Sequence, residues 1–205
     1  MAAPYSADRK AVEGIVLAGG AGRRVGGRDK GLLALGESSS GAPGTCAPQP
    51  CAERAVELLR PLCSRVYISA NRNRERYEAM GSDGVFADRR PAYSGPLAGL
   101  EALRDHLRSE RLLLLPCDTL PPTPGPLLQL LDALDDREDL DLVYAASQGR
   151  DQYLVAALRK RALLSVGRII DEGSGSVREW IEGLVTRRIE LSAHYPLHNR
   201  NEMTQ

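Results

Sequence analysis

The sequence contains little lysine, no excess charge of either sign and no long apolar run. Its 27 Lys and Arg residues balance 27 Asp and Glu residues, so neither a nucleic acid nor a membrane surface is indicated as a partner. No stretch approaches the roughly 20 apolar residues of a membrane span, and no apolar segment of signal-peptide length stands at the N-terminus. We therefore expect a cytoplasmic protein in which any anion-binding site is local.

The cysteines and histidines do not form a recognisable metal or nucleophile set. No cysteine pair has CxxC spacing and no histidine is close to a cysteine, so we expect free thiols and no zinc site. The sequence also offers no plausible Ser/His/Asp or Cys/His arrangement for nucleophilic catalysis. The cysteines are Cys46, Cys51, Cys63 and Cys117.

Apolar runs typical of strands alternate with helical patterns along the chain. The predicted strands cover residues 14–17, 66–69, 85–86, 112–115, 142–146, 153–158 and 185–191. The predicted helices cover residues 52–62, 74–80, 97–107, a segment ending at 134, 161–170 and 177–184. This alternation predicts one α/β domain over residues 1–205 with a mostly parallel sheet. Residues 37–50 are rich in Ser, Gly and Pro and are predicted to form a flexible insertion.

Glycine or polar residues follow the first four predicted strands. Gly19 follows the first strand, Asn71 the second, Asp88 the third and Asp118 the fourth. Ligands of open parallel sheets bind beyond the carboxyl ends of the strands. We therefore expect these residues to meet at one edge of the sheet.

A glycine-rich, basic loop follows the first strand: residues 17–31 have the sequence LAGGAGRRVGGRDKG. Glycines let consecutive backbone N–H groups surround a phosphate, and Arg23, Arg24 and Lys30 add positive charge. The loop lacks the Walker A pattern and misses GxGxxG spacing by one residue. A solvated basic surface loop is the alternative, but a position directly after a buried strand favours a phosphate site.

The sequence resembles the molybdenum cofactor guanylyltransferases (MobA). The signature of that family, LAGGxxRRhGGxDKG with h apolar, is matched in full by residues 17–31. The chain also has the family's ANR at 70–72, an Asp seven residues before GPLAG at 95–99, PCDT at 116–119 and N-x-N at 199–201. It departs from the family at Leu120, where proline is usual, and at the insertion, where a short turn is usual. The motifs keep the family's order over most of the chain.

The resemblance implies a three-layer Rossmann-like nucleotidyltransferase fold and transfer of GMP from GTP to the terminal phosphate of molybdopterin. Pyrophosphate leaves, and molybdopterin guanine dinucleotide forms. The family uses Mg²⁺, which assigns Asp118 as the metal ligand, with Arg24, Lys30 and Asp118 as catalytic residues. Transient contact with proteins that deliver molybdopterin or mature molybdoenzymes is also implied. The residues expected to bind GTP or molybdopterin are Leu17, Ala18, Gly19, Gly20, Lys30, Asn71, Asp88, Asp118, Asn199 and Asn201.

Alternatives remain for these residues and for the function. Asn71 could be a turn residue, Asp88 could pair with Arg89 or Arg90, and Asp118 could be a helix N-cap or turn residue. The N-x-N motif could be a polar tail. A sibling nucleotidyltransferase that uses CTP or a sugar phosphate would need the same glycine loop, lysine and carboxylate. A non-catalytic nucleotide-binding module is the alternative from a different class.

Overall fold

The structure is a computed structural model that describes residues 12–20, 29–35, 49–90, 95–121, 123–192 and 197–199. For residues 34–35 and 198–199 it describes the backbone alone. Two predicted site residues, Arg24 and Asn201, lie outside the described residues, as do residues 37–48 of the predicted insertion.

Seven strands form one central sheet in the order β10-β8-β9-β6-β1-β4-β5. The pairs β1–β4, β1–β6, β4–β5 and β8–β10 are parallel, and only β9 runs antiparallel to its neighbours. The predicted mostly parallel sheet is therefore confirmed. The strands of the described residues are β1 (Val12–Leu17), β2 (Ala34–Leu35), β3 (Gln49–Pro50), β4 (Arg65–Ser69), β5 (Gly84–Phe86), β6 (Arg111–Pro116), β7 (Thr119–Leu120), β8 (Leu142–Ser147), β9 (Arg150–Arg159), β10 (Thr186–Glu190) and β11 (His198–Asn199).

Six α-helices in the described part of the chain lie close to their predicted positions. One difference concerns the predicted helix 161–170, which is a 3-10 helix, Lys160–Ser165, followed by a short α-helix. The buried Trp180 donates its indole N–H to the carbonyl of Ala162 at 3.1 Å, which ties this 3-10 turn to the last helix. The helices are α1 (Cys51–Leu59), α2 (Arg74–Glu78), α3 (Pro96–Arg104), α4 (Gly125–Asp135), α5 (Val166–Asp171) and α6 (Val177–Glu182).

The helices cover both faces of the sheet, which gives the expected three layers. Helices α1, α2 and α4 bury their apolar side chains against one face, and α3, α5 and α6 bury theirs against the other. The run of four leucines in β6 follows from this arrangement, because Leu113 and Leu115 point to the first face while Leu112 and Leu114 point to the second. No helix in the part of the chain that the structure describes could cross a membrane, since none is both long and apolar enough.

Strand β9 leaves its neighbours near the carboxyl end of β6. Its pairing with β6 ends at Ala156, opposite Leu114. On the other side, Tyr144 of β8 pairs with Ala156 but the next residue, Ala145, pairs with Gln152. Residues 153–155 are thus extra residues of a bulge, which bends a strand and interrupts its ladder. The result is a gap between β9 and the last residues of β6.

Two short antiparallel ladders stand beside the main sheet. Strands β2 and β3 pair with each other, so Gln49 and Pro50, the last two residues of the predicted insertion, belong to a strand. Strand β11 pairs with β7, which places the backbone of Asn199 opposite Thr119. Asn199, the one described residue of the N-x-N motif, is therefore brought to the end of β6, more than 70 residues earlier in the sequence.

Candidate nucleotide and acceptor site

The predicted site residues Gly19, Asn71, Asp88 and Asp118 follow the ends of four adjacent parallel strands. From one side of the sheet to the other they follow β6 (Asp118), β1 (Gly19), β4 (Asn71) and β5 (Asp88). Parallel strands present their carboxyl ends at the same edge, and this is where ligands of open α/β sheets bind. The structure therefore brings together the four residues that the strand pattern predicted would meet.

Asn71 joins three strand ends through its side-chain amide. Its Nδ2 atom donates to the Gly19 carbonyl at 3.2 Å and to Asp88 Oδ2 at 2.7 Å, and its Oδ1 atom accepts the Asp88 backbone N–H at 2.8 Å. These bonds fix the orientation of the Asp88 carboxylate and hold the start of the glycine loop. Asn71 is thus more than a turn residue.

The alternative ion pair for Asp88 is wrong. Arg89 pairs with Asp105 at 2.7 Å, and Arg90 pairs with Glu101 at 2.6 Å. Burial raises the pKa of the Asp88 carboxyl above its ordinary value, and the hydrogen bond from Asn71 offsets part of that rise. A partly buried carboxylate that neither of these arginines neutralises is suited to accept hydrogen bonds from a ligand.

The segment from Leu17 to Gly20 changes from buried strand to exposed loop. The Leu17 carbonyl accepts the Cys117 N–H at 3.0 Å, and the Ala18 N–H donates to the Ser69 carbonyl at 2.9 Å. Leu17 and Ala18 are buried, Gly19 is intermediate and Gly20 is exposed. Gly19 and Gly20 are therefore the members of this segment that a ligand can reach most easily.

Lys30 and Asp118 form an ion pair although 88 residues separate them. The distance from Lys30 Nζ to Asp118 Oδ2 is 3.1 Å, and the two side chains are only 19% and 24% exposed. Asp118 stands in a turn between β6 and β7, so the helix N-cap alternative is wrong. Cys117 before it is buried, as expected for a small spacer. The proposed phosphate-binding cation and the proposed metal ligand thus share one location.

A pocket of about 210 Å³ opens beside Asp118. It occupies the gap that the β9 bulge creates next to the end of β6. In the strand order the pocket lies on the β9 side of β6, whereas Asn71 and Asp88 follow strands on the β1 side. The sequence analysis did not predict this pocket, because a bulge in a ladder leaves no pattern in a single sequence. The lining residues are Pro116, Asp118, Thr119, Asp151, Gln152, Tyr153, Leu154, Val155 and Val177.

Two carboxylates of the site are too far apart to bind one ion. Asp118 follows β6 and Asp88 follows β5, which is three strands away. Neighbouring strands are about 4.8 Å apart, so these strand ends are separated by roughly 14 Å, whereas Mg²⁺ ligands lie about 2.1 Å from the metal. One Mg²⁺ could therefore not take both carboxylates as ligands. Asp118 is bonded to Lys30.

Three residues that the sequence analysis did not assign fix the backbone next to Lys30. Tyr77 Oη donates to Asp29 Oδ1, and Asn73 Nδ2 donates to Asp29 Oδ2 at 2.8 Å. Asp29 belongs to the DKG triplet of the glycine loop, and this was the one available signal that it has a role. Its partners are 44 and 48 residues away and could not be identified from sequence.

Comparison with known proteins identifies relatives over most of the chain. A family model described as a MobA-like NTP transferase domain matches residues 14–189. A protein from Shewanella pealeana named molybdenum cofactor guanylyltransferase is 34% identical over 169 residues, which are 82% of this chain and 78% of that protein.

Solved structures with low sequence identity share the fold. Molybdopterin-guanine dinucleotide biosynthesis protein A from Archaeoglobus fulgidus superposes with a TM-score of 0.63 at 18% identity, covering 87% of this chain and 83% of the other. A CMP:2-keto-3-deoxy-manno-octonic acid synthetase solved with CTP superposes with a TM-score of 0.65 at 14% identity, covering 95% of each chain. The fold is therefore shared by proteins that differ in substrate and does not distinguish GTP from CTP.

Proposed function

The chain belongs to the family of MobA-like NTP transferases, and from this premise we propose that it transfers GMP from GTP to the terminal phosphate of molybdopterin. The observation that carries the proposal is the position of Asp118, which pairs with Lys30 and also lines the pocket beside β9. A nucleotide bound along β1, β4 and β5 and an acceptor in the pocket would meet at this carboxylate.

The nucleotide side comprises the glycine loop, Asn71 and Asp88. Lys30 contributes the positive charge for the phosphates, together with Arg24 by family resemblance. Asp88 and Asn71 are held together by two hydrogen bonds, and their polar atoms suit the edge of a base or ribose. A site of this kind discriminates strongly, because an analogue that lacks the matching group leaves a buried polar atom unpaired. The guanylyltransferase name of the sequence relative favours guanine as the base.

The acceptor side is the pocket lined by β6, β9 and the start of α6. Gln152 offers an amide, Tyr153 an aromatic ring and Leu154 an apolar surface. A few polar groups among apolar ones are typical of small-molecule pockets. The backbone of Asn199 lies next to Thr119, which also lines the pocket. This supports the assignment of the N-x-N motif to molybdopterin.

Asp118 fits Mg²⁺ as one ligand among several. Among the described residues, no group of three or more His, Cys, Asp or Glu side chains could hold a metal ion. Mg²⁺ usually takes one or two carboxylates together with substrate phosphates and water, so a single strand-end carboxylate suffices once GTP supplies its phosphates. When bound, the metal would neutralise charge on the phosphate oxygens. Asp118 would hold it beside Lys30, so that the metal and the lysine would both face the phosphates.

The proposed reaction forms one phosphorus–oxygen bond and breaks another. An oxygen of the molybdopterin phosphate attacks the α-phosphorus of GTP. The bond between that phosphorus and the oxygen that links it to the β-phosphorus breaks. Pyrophosphate leaves with the electron pair of the broken bond. The attacking phosphate is ionised at neutral pH, so no general base is needed, in agreement with the lack of a plausible Ser/His/Asp or Cys/His arrangement in the sequence. Lys30 would contribute by holding the phosphates in line.

Incubation of the protein with molybdopterin, Mg²⁺ and each of the four nucleoside triphosphates tests this proposal. We expect molybdopterin guanine dinucleotide and pyrophosphate with GTP, and no product with ATP, CTP or UTP. A matched reaction without Mg²⁺ should form little product. Product with CTP alone would instead identify a sibling cytidylyltransferase. Nucleotide binding without product from any of the four would identify a non-catalytic module.

A further inference from the structure

The segment that carries Lys30 is held on both sides by one buried side chain. Asp29, before Lys30, accepts a hydrogen bond from Tyr77 Oη through Oδ1 and one from Asn73 Nδ2 at 2.8 Å through Oδ2. Both oxygens of the Asp29 carboxylate are therefore bonded to side chains at the start and end of one turn of helix. Asp29 also opens the 3-10 helix of Lys30, since its carbonyl accepts the Leu32 N–H at 3.1 Å.

Gly31, after Lys30, lies against the ring of the same tyrosine. A Cβ atom at this position would overlap Tyr77 Oη and would lie 3.0 Å from Cε1 and 3.1 Å from Cζ. Glycine is thus required for the backbone to approach the phenol ring this closely. Lys30 stands between two residues whose positions are each determined by Tyr77.

Tyr77 is a rigid support because it is 0% exposed and belongs to the core that α1 shares with the sheet. A side chain packed at interior density has little freedom to change rotamer. Burial, with a further contribution from the Asp29 carboxylate, raises the pKa of the Tyr77 hydroxyl well above its ordinary value. The hydroxyl therefore keeps its proton and remains a donor to Asp29 throughout the neutral range.

The backbone conformation of Asn73, which precedes α2, goes together with its hydrogen bond to Asp29. Its φ of 53° and ψ of 36° lie in the left-handed region, which few residues besides glycine and asparagine adopt. Such conformations persist where the surroundings hold them, and here the side chain is bonded to Asp29. Only two residues earlier, Asn71 holds Gly19 and Asp88. One corner of the chain thus contacts both ends of the glycine loop.

We infer that Tyr77 is a positioning residue that sets the location of the Lys30 ammonium group through its contacts with Asp29 and Gly31. This inference rests on the proposed function, which assigns Lys30 to the phosphates of the nucleotide. A lysine has a long, flexible side chain, so a fixed backbone at its base restricts where its charge can be placed. Side chains that lock the residues of a site in this way contribute to binding without touching the ligand.

Replacement of the tyrosine hydroxyl tests the inference. Tyr77→Phe keeps the ring and removes the bond to Asp29, and Tyr67→Phe is a matched control because Tyr67 is another buried tyrosine, on the other face of the sheet. GTP affinity is measured by calorimetry without molybdopterin, alongside thermal unfolding. We expect Tyr77→Phe to weaken GTP binding on the order of tenfold and to raise the KM for GTP more than it lowers kcat. The control should bind GTP as the wild type does.

A double-mutant cycle separates positioning from general stability. In a Lys30→Ala background, Tyr77→Phe should cause no further loss of GTP affinity, because the group that it positions is absent. Gly31→Ala provides a second route, since its methyl group displaces the same segment without removing a core side chain. Its effect on GTP affinity should likewise vanish in the Lys30→Ala background.

The outcomes distinguish this inference from the proposed function. Wild-type affinity for GTP in both Tyr77→Phe and Gly31→Ala would overturn the positioning role while leaving the proposed function intact. Equal losses with and without Lys30 would also overturn it, since they would mean a general structural effect. Failure of the wild-type protein to bind any of the four nucleoside triphosphates would overturn the proposed function, and the positioning role with it.

Discussion

The ion pair between Lys30 and Asp118 predicts that removing the carboxylate improves GTP binding when no metal is present. The pair has a distance of 3.1 Å, yet the proposed function needs Lys30 for the phosphates and Asp118 for Mg²⁺. Without metal, Asp118 competes with GTP for the lysine and also repels the phosphates. Asp118→Ala removes both effects. The same variant should be a poor catalyst, because it cannot hold the metal where charge develops.

The size of each effect follows from how far the pair is buried. Two unit charges about 4 Å apart attract by about 4 kcal/mol at an effective dielectric constant of about 20, but desolvation and side-chain entropy cancel most of this. Fully exposed pairs retain about 0.2–1 kcal/mol. Because these side chains are 19% and 24% exposed, we expect about 1 kcal/mol, or roughly fivefold in metal-free affinity for Asp118→Ala. Lys30→Ala should weaken GTP binding by about 1.5–3 kcal/mol, the value of a hydrogen bond to a charged group.

Calorimetry with and without Mg²⁺ measures the changes in GTP affinity, and single-turnover experiments measure the change in rate. The set comprises the wild type, Lys30→Ala, Asp118→Ala and the double variant. Asp135→Ala is a matched control, because Asp135 forms an ion pair with Arg111 at the opposite end of β6. We expect Asp118→Ala to lower the single-turnover rate on the order of 10²-fold or more. The gain in metal-free affinity should be smaller when Lys30 is absent, since one of its two causes is then missing.

Two results would refute this reasoning. Near-normal turnover of Asp118→Ala would mean that this carboxylate is not the metal ligand. A gain in metal-free affinity that is as large in the Lys30→Ala background as in the wild type would mean that the ion pair does not compete with GTP.

Three further predictions concern other parts of the site. Burial raises the pKa of Asp88, so between the unfolded and folded pKa values the folded state binds more protons, and stability falls as pH rises through that range. Asp88→Asn should therefore raise the Tm at pH 7 and weaken GTP binding. An unchanged or lower Tm would contradict the sign of this effect. Gly99→Ala places a Cβ against Ser69 Oγ and should lower the free energy of unfolding in urea by about 1–3 kcal/mol, with partial rescue by Ser69→Ala. Lack of destabilisation would show that α3 can shift. Asn199→Ala should lower turnover while GTP affinity stays near that of the wild type, and an equal loss of both would assign the C-terminal strand to the nucleotide.

Local patterns in the sequence were sufficient for the strands and helices of the main sheet, apart from the 3-10 helix Lys160–Ser165, and for the edge where the predicted site residues meet. The four leucines of β6 predict a strand covered on both faces, and the structure packs them into two cores. Glycine, amide and carboxylate residues at strand ends predict a shared ligand edge, and Asn71 does join Gly19 and Asp88 there. These predictions succeed because the apolar residues of a buried strand and the polar or glycine residue that follows it are neighbours in the sequence.

Tertiary structure alone decided which side chains meet. Strand order placed β6 next to β1, which brings Asp118 to Lys30, and it placed β9 antiparallel beside β6 with the bulge that opens the pocket. Packing of α2 against the described segment that begins at Asp29 paired Tyr77 with Asp29. The sequence specifies the apolar face of each strand, but many strand orders bury the same faces equally well. Contacts between residues 48 or 88 positions apart exist only once one order has been selected by the packing of the whole domain.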